Sequence, residues 1–353
     1  MLDVVLAAYG LPADTAVTPH GSGLINRTWL LRHGKDRYIL QRINQDVFST
    51  PALIAKNIER VGSYLSAHYP EAIFPRPVAT TTDDTLVNAG DNGFFRLFPF
   101  IEDSVTIDVV EKPGLAYQAA RQFGAFTRMM DGFPVTQLHD TLPHFHDLAL
   151  RYNAFREALA TGLPERIAQT QALIDYLEAQ NHLVTRYQQI LVDPGFKRRV
   201  THHDTKISNV LFNHSGKGIC VIDLDTVMAG YFISDVGDML RTYLSPVSEE
   251  EKDTSLITIR LEYFEAIVRG YLEEMADILT PGEKEAFVYA GEFMVYMQAL
   301  RFITDYLLGD KYYGSRYEGH NYVRALNQAA LLQRFSEQSS TLRNIAAKVL
   351  ASA

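Results

Sequence analysis

The chain has 353 residues, 47% of them hydrophobic, which is enough apolar material for a large core divided between two lobes. Its formal charge of −9 argues against a surface built to coat nucleic acid, and its single cysteine, Cys220, excludes an internal disulfide and a cysteine-rich zinc site. No apolar run reaches the ~18 residues that span a bilayer and Met1 to Val5 show no basic, apolar leader, so a cytoplasmic location is the simplest expectation.

Residues 15–21, 27–33 and 37–43 read as strands, with His33-Gly34-Lys35-Asp36 as a hairpin turn between the last two. Between the first two lies Gly21-Ser22-Gly23-Leu24-Ile25-Asn26, where Gly21 and Gly23 would let backbone NH groups approach phosphates; a plain hairpin turn explains the same residues. Thr50-Pro51 supplies an N-cap and a first-turn proline for a helix whose apolar positions are Leu53, Ile54, Ile58, Val61 and Leu65. A second hairpin turn at 89–93 precedes Phe94-Phe95-Arg96-Leu97-Phe98, which completes an antiparallel sheet carrying one helix. Phe98-Pro99-Phe100-Ile101-Glu102 then falls where two lobes would join, with Phe98 and Phe100 as aromatic walls for an adenine or as a buried connector. Residues 1–98 would form the small lobe and 99–353 the large one.

Beyond residue 99 helical patterns dominate. Pro113 opens a helix through Ala120, Phe123, Phe126 and Met130, and Pro164 opens one through Ile167, Leu173, Tyr176 and Leu177. One stretch interrupts them: His202-His203-Asp204-Thr205-Lys206-Ile207-Ser208-Asn209, followed by a hairpin of residues 210–212 and 219–225. The spacing His-x-Asp-x4-Asn, with Asp223 fourteen residues after Asn209, matches the loop that carries out phosphoryl transfer in protein-kinase-like enzymes. Such chemistry needs a carboxylate for the attacking hydroxyl and hard oxygen ligands for magnesium, which assigns Asp204 to the hydroxyl and Asn209 and Asp223 to the metal. Lys206 is placed to steady the transferring phosphoryl group. His202 reads as structural, and His203 as packing or solvent-facing.

The third strand departs from the protein-kinase pattern Val-Ala-Ile-Lys, reading Tyr38-Ile39-Leu40-Gln41-Arg42. Neighbouring strand residues face opposite sides. Either Gln41 replaces the lysine, or a bulge turns Arg42 inward with Glu59 of the next helix as its partner, or Arg42 faces solvent. His139, His144 and His146 have no metal-binding periodicity. Arg301 and Asp305, four apart on a helix, present either one polar face to an acceptor pocket or a solvated pair.

These motifs together resemble the aminoglycoside phosphotransferase and choline kinase superfamily, whose loop usually reads His-Gly-Asp-x4-Asn. Tyr38 to Asn44, Asp204 to Asn209, Asp223 to Met228 and Arg301 to Leu307 are similar to N-acetylhexosamine 1-kinases in particular. The resemblance implies an α+β, protein-kinase-like bilobal fold with a small antiparallel sheet and a mainly helical large lobe. It implies ATP and Mg2+ as cofactors, and transfer of the γ-phosphate to the anomeric hydroxyl of N-acetylglucosamine or N-acetylgalactosamine; the partner expected is a small-molecule sugar, with the chain a monomer or a homodimer. It makes Asp204 the base, Asn209 and Asp223 the metal ligands, and Asp238 the support of the loop from a helix. Phe145, His146, Asp147 and Arg301 become the candidates for sugar contacts, and Asp225 has no assigned role. His203 stands where the usual pattern has glycine, which restricts the loop backbone. Other readings are a kinase of choline, an aminoglycoside or a homoserine-like acceptor, or a nucleotide-binding module without catalysis.

Overall fold

A computed structural model describes residues 2–21 and 25–352. Five strands form one antiparallel sheet: β1 (Ala16–Pro19), β2 (Arg27–His33), β3 (Asp36–Arg42), β4 (Val87–Asn88) and β5 (Phe94–Pro99), in the order β1-β2-β3-β5-β4. His33 pairs with Asp36, so Gly34 and Lys35 alone make the turn, and Gly34 takes the positive φ of 60° that such a turn places on its first residue. The first strand is shorter than the sequence pattern predicts, and a short helix, α1 (Leu2–Ala8), precedes it.

Period-two alternation gives the sheet two different faces. Leu31, Leu40, Phe95 and Leu97 point outward and form a small core with Val5 and Leu6 of α1. Ile39 and Phe98 point the other way, into the main core. Helix α2 (Pro51–His68) crosses this inner side with Ile54, Ile58, Val61 and Leu65 almost wholly buried, each worth about 1.5–3 kcal/mol in apolar burial. Pro51 occupies its first turn, but Thr50 makes no side-chain capping bond, contrary to its expected role.

The remainder is helical: α3 (Pro113–Met129), α4 (Leu148–Thr161), α5 (Pro164–Gln169), α6 (Gln171–Ala179), α7 (His182–Val192), α8 (Phe232–Tyr243), α9 (Leu261–Met275), α10 (Pro281–Glu285), α11 (Phe287–Leu307) and α12 (His320–Ser352). The helix expected from Pro164 onward is two helices. Thr170 breaks it, with φ −108° and ψ 11° and its hydroxyl turned back on the carbonyl of Arg166 at 2.8 Å. Helix α11 is buried on nearly all sides, the mark of a central helix rather than a surface one.

Two small ladders sit among the helices. Strand β7 (Val210–Phe212) pairs with β8 (Gly218–Val221), and β6 (Arg199–Thr201) pairs with β9 (Met228–Gly230). The second strand of the expected 210–225 hairpin therefore ends at Val221, not at Asp225. Asp223 lies beyond it in the left-handed region, φ 60° and ψ 64°, where the chain turns into a 3₁₀ turn of residues 224–226. The fold is the α+β, two-lobed arrangement expected, with a small antiparallel sheet beside a larger helical part.

Candidate active site

The loop between β6 and β7 is held from below by the first turns of α8. Asp235 accepts hydrogen bonds from the backbone NH groups of His202 (2.9 Å) and His203 (2.8 Å), and Asp238 accepts from that of Thr205 (2.8 Å). Tyr243, one helical face further on, donates to the carbonyl of Thr205 at 2.5 Å. Asp235 was not singled out from the sequence, although its i, i+3 spacing from Asp238 puts both carboxylates on one face of the helix. Burial pushes the Asp235 pKa up to about 7 against the lowering effect of those two NH donors.

His202 is fully buried and its Nε2 lies 2.8 Å from the carbonyl of Ile222, tying the loop to the turn that carries Asp223. His203 adopts φ 65°, the conformation that glycine supplies in the usual pattern. Its ring is packed rather than solvent-facing: it contacts the Thr201 hydroxyl at 3.1 Å and the Thr226 carbonyl at 3.2 Å. Gly230 makes the room, since a Cβ there would stand 2.5 Å from the imidazole. Burial, with His202 beside it, pushes the His203 pKa down to about 4.

Asp204 projects from this rigid base with its side chain 23% exposed. Lys206 Nζ lies 3.1 Å from one carboxylate oxygen, and Asn209 Nδ2 donates to the same oxygen at 3.0 Å and to the Asp204 carbonyl at 2.8 Å. Because Asn209 spends its NH2 group on Asp204, its carbonyl oxygen is left as an acceptor. Asp223 is exposed. The surrounding protein mass pushes its pKa up to about 7, and the Asp225 and Asp204 carboxylates add to the shift. Repulsion among the carboxylates is the cause that survives solvation, and a cation relieves it. Among the described residues no three His, Cys, Asp or Glu groups surround a common metal position. Asn209 and Asp223 are hard oxygen donors of the type that hold magnesium incompletely and leave places for phosphate oxygens.

Asp225, unlike Asp223, is buried and turned toward the sheet. Arg96 of β5 forms an ion pair with one of its oxygens, and Asn26 Nδ2 donates to the other at 2.6 Å. Gln41 lies opposite Arg96 in the β3–β5 register, and its carbonyl oxygen accepts from Arg96 Nε (3.0 Å) and Nη2 (2.8 Å). Gln41 therefore faces inward. Arg42 takes the opposite face, against Gly93 of the β4–β5 turn. No bulge brings it inward, and among the described residues Glu59 makes no ion pair. Glu59 is exposed on the outer side of α2, beside a hollow of about 580 Å³ that it shares with Lys56, Arg60 and Tyr64. That hollow lies away from the carboxylates and carries none of this chemistry. The inward residue of α2 is Asn57, fully buried, which donates to the carbonyls of His139 (2.8 Å) and Val227 (3.0 Å).

Gly21 is exposed with φ 78° and open space where a Cβ would stand; Gly23 lies outside the described residues. At the lobe junction Phe98 is buried, with Arg96 5.2 Å from its ring centre. Phe100 is half-buried under the guanidinium of Arg37, at 4.2 Å, and donates its NH to the Arg37 carbonyl at 3.0 Å.

On the side away from the sheet, the rings of His146 and His203 stand 5.3 Å apart, and Phe145 stacks on His146 at 4.4 Å. Burial, then His203 and Arg301, holds His146 well below the usual histidine range. Arg301 sits 5.7 Å from the Phe145 ring centre, 6.0 Å from Tyr312 and 5.4 Å from Tyr313. A hollow of about 310 Å³ lined by Phe145, His146, Arg198, His203 and Tyr231 adjoins the loop. Two expected members of this group are occupied elsewhere. Asp147 caps α4, accepting from Leu150 N at 3.0 Å, and Asp305 is buried, accepting the backbone NH groups of Tyr312 (2.7 Å) and Tyr313 (2.8 Å). Asp305 thus sets the position of the two tyrosines beside Arg301 and forms no polar face with it.

Solved structures with this fold include a microcompartment-associated aminopropanol kinase (TM-score 0.62, 15% identity, 97% of each chain covered). They also include an amicoumacin kinase in complex with AMP-PNP, Ca2+ and Ami (TM-score 0.60, 16% identity, 97% of this chain and 92% of that one). A choline kinase from Cryptosporidium parvum aligns at TM-score 0.54 and 15% identity, over 93% of this chain and 90% of that one. Residues 16–276 match the sequence profile of the phosphotransferase enzyme family, a span holding the sheet, the loop of Asp204 and the turn of Asp223. The chain belongs to the phosphotransferase enzyme family.

Proposed function

We propose that this protein is an ATP- and Mg2+-dependent small-molecule kinase that phosphorylates the anomeric hydroxyl of N-acetylhexosamines, giving the sugar 1-phosphate. Membership of the family supports phosphoryl transfer, and the loop chemistry supports the roles of the individual groups. Asp204 orients the acceptor hydroxyl and takes its proton as the new oxygen–phosphorus bond forms and the bond to the ADP oxygen breaks. Asn209 and Asp223 would hold the divalent ion, whose chemistry there would be to offset charge on the phosphates. Lys206, tethered to Asp204, lies where charge builds on the transferring group.

One observation carries the choice of acceptor. Beside His146 and His203 stands Arg301 among Phe145, Tyr312 and Tyr313, and three of the surrounding carboxylates are already engaged, while Asp140, which also lines the hollow, is exposed. Asp147 caps a helix, Asp305 holds backbone NH groups, and Glu249 is shared between Arg241 and Arg324. Choline, an amino alcohol or an aminoglycoside would bring a cation to the side where Arg301 already stands. A neutral pyranose with an acyl group suits it: the ring lies against aromatic faces and the acyl oxygen accepts from Arg301. The amine acceptors of the structural neighbours are therefore not carried over. The choice of the anomeric hydroxyl rests on the resemblance in sequence.

The test is incubation with ATP, Mg2+ and a panel of N-acetylglucosamine, N-acetylgalactosamine, glucose, choline, 1-amino-2-propanol and kanamycin, with products assigned by phosphorus NMR. A sugar 1-phosphate from the N-acetylhexosamines is the expected product. Turnover of choline or kanamycin with none on the sugars would overturn the assignment.

A further inference from the structure

Phosphotransferases with a lysine in the third strand use it to tie the nucleotide-binding sheet to the phosphates. This chain has Gln41 at that register, and the loss of a cation from so charged a place calls for a substitute. Arg96, directly across the ladder from Gln41, is the buried cation of the same sheet face, with 2% of its side chain exposed. Gln41 does not replace the lysine chemically. Its carbonyl oxygen grips both Nε and Nη2 of Arg96, which fixes the guanidinium plane and leaves Nη1 directed at Asp225.

We propose that Arg96 is the positioning residue of the metal site: gripped by Gln41, it holds Asp225 and thereby fixes the turn of residues 223–226 that presents Asp223. Three features converge on this reading. The turn starts in a left-handed conformation, which aspartate tolerates at a modest cost that surrounding contacts offset. Asp225, two residues on, is the group that anchors it to the sheet. Asn26, whose amide donates to Asp225, also accepts the backbone NH of Asn44 at 3.0 Å, so the β1–β2 connection is tied to the same carboxylate. Removing Arg96 leaves Asp225 with one partner and adds an unneutralised carboxylate beside Asp223 and Asp204. The turn then re-forms around a different charge balance, and Asp223 leaves the place from which it meets a metal-bound nucleotide.

The inference rests on Asp223 and Asn209 being the metal-binding groups, and a binding experiment without acceptor separates the two ideas. Calorimetric titration with AMP-PNP, with and without Mg2+, gives the factor by which the metal tightens nucleotide binding. For R96M that factor should fall at least tenfold while metal-free affinity stays within about threefold of wild type, and R96K should recover part of it. Thermal unfolding of each variant checks that the protein titrated is folded. If R96M does not fold, Q41M decides, because it removes only the grip on the guanidinium, and the same direction of change is expected. A folded R96M that keeps the wild-type factor overturns the role of Arg96, as does a Q41M that keeps it where R96M cannot be purified. Equal loss of affinity with and without metal also overturns it, since that is what a purely structural defect produces. A wild-type protein in which Mg2+ leaves AMP-PNP affinity unchanged would instead remove the metal assignment itself.

Discussion

Asp204 is the side chain on which the proposed chemistry turns, and its surroundings allow a clean substitution. Its carboxylate faces Lys206 and Asn209 while its backbone is carried by the helix below, so Asp204→Asn keeps the shape and removes the proton acceptor. The expected loss in kcat is about 10²- to 10⁴-fold, with AMP-PNP affinity unchanged by calorimetry. Loss of nucleotide binding in parallel would mean that Asp204 serves the fold and not the transfer. His203 poses a different question, because a bulky residue occupies a glycine conformation and buries an imidazole. Its pKa of about 4 in the folded protein lies below the ~6.5 of an unfolded histidine, so folding requires the neutral ring. The stability this secures is complete above pH 6.5 and is lost as pH falls toward about 4, because only the unfolded chain takes up the proton in that window. Asparagine tolerates the same backbone conformation without titrating. The stability gap between wild type and H203N, from urea melts at successive pH values, should therefore narrow between pH 6.5 and 4. A gap independent of pH would show that the ring titrates alike in the folded and unfolded states.

Among the elements, the small ladder of β6 and β9 shows how the loop of residues 202–209 is anchored and which parts of the architecture sequence patterns carry. Its first residue, Arg199, is buried against Glu283 in α10; Glu283 also accepts from the backbone NH groups of Lys197 (3.0 Å) and Thr280 (2.9 Å). Glu283 completes a capping box with Thr280, so one carboxylate closes a helix start and anchors a strand. Glu283→Ala strands a buried guanidinium, and about 3–5 kcal/mol of stability should be lost, read from the urea midpoint at constant slope. A cost under about 1 kcal/mol would mean that water reaches Arg199. The Thr280-x-x-Glu283 spacing is local, but the tie from Glu283 to Arg199 has no signature in residue spacing, because the two are far apart in the chain and three-residue strands leave no periodicity to read. Strands β2 and β3 and helix α2 were legible for the opposite reason: alternation, a two-residue turn and an apolar stripe are local. The His-x-Asp-x4-Asn loop was legible because its chemistry is packed into eight residues. The support from Asp235 and the grip of Gln41 on Arg96 depend on tertiary neighbours. They emerge only when the chain is folded.

At the scale of the whole molecule, the two lobes are chemically stitched together and not merely adjacent. The inner face of the sheet and the apolar stripe of α2 belong to the same core as the large helical part, whereas only the outer face with α1 has a core of its own. Polar ties cross at the same place. Asn57 binds the backbone at His139 and Val227, and the Arg96–Asp225 pair with Asn26 links sheet to turn. Cutting the chain after residue 98 would expose Ile54, Ile58, Val61 and Leu65, take Asp225 from Arg96 and remove both carbonyl acceptors of the Asn57 amide. A fragment of that size already buries too little surface to tolerate such losses. The fragment 1–98 should therefore lack a cooperative thermal transition by circular dichroism and show the narrow amide dispersion of an unfolded chain, while the full chain unfolds in a single transition. A folded fragment with its own sharp melt would place the independent folding unit in the sheet and would leave the crossing contacts a role in aligning lobes rather than in making them.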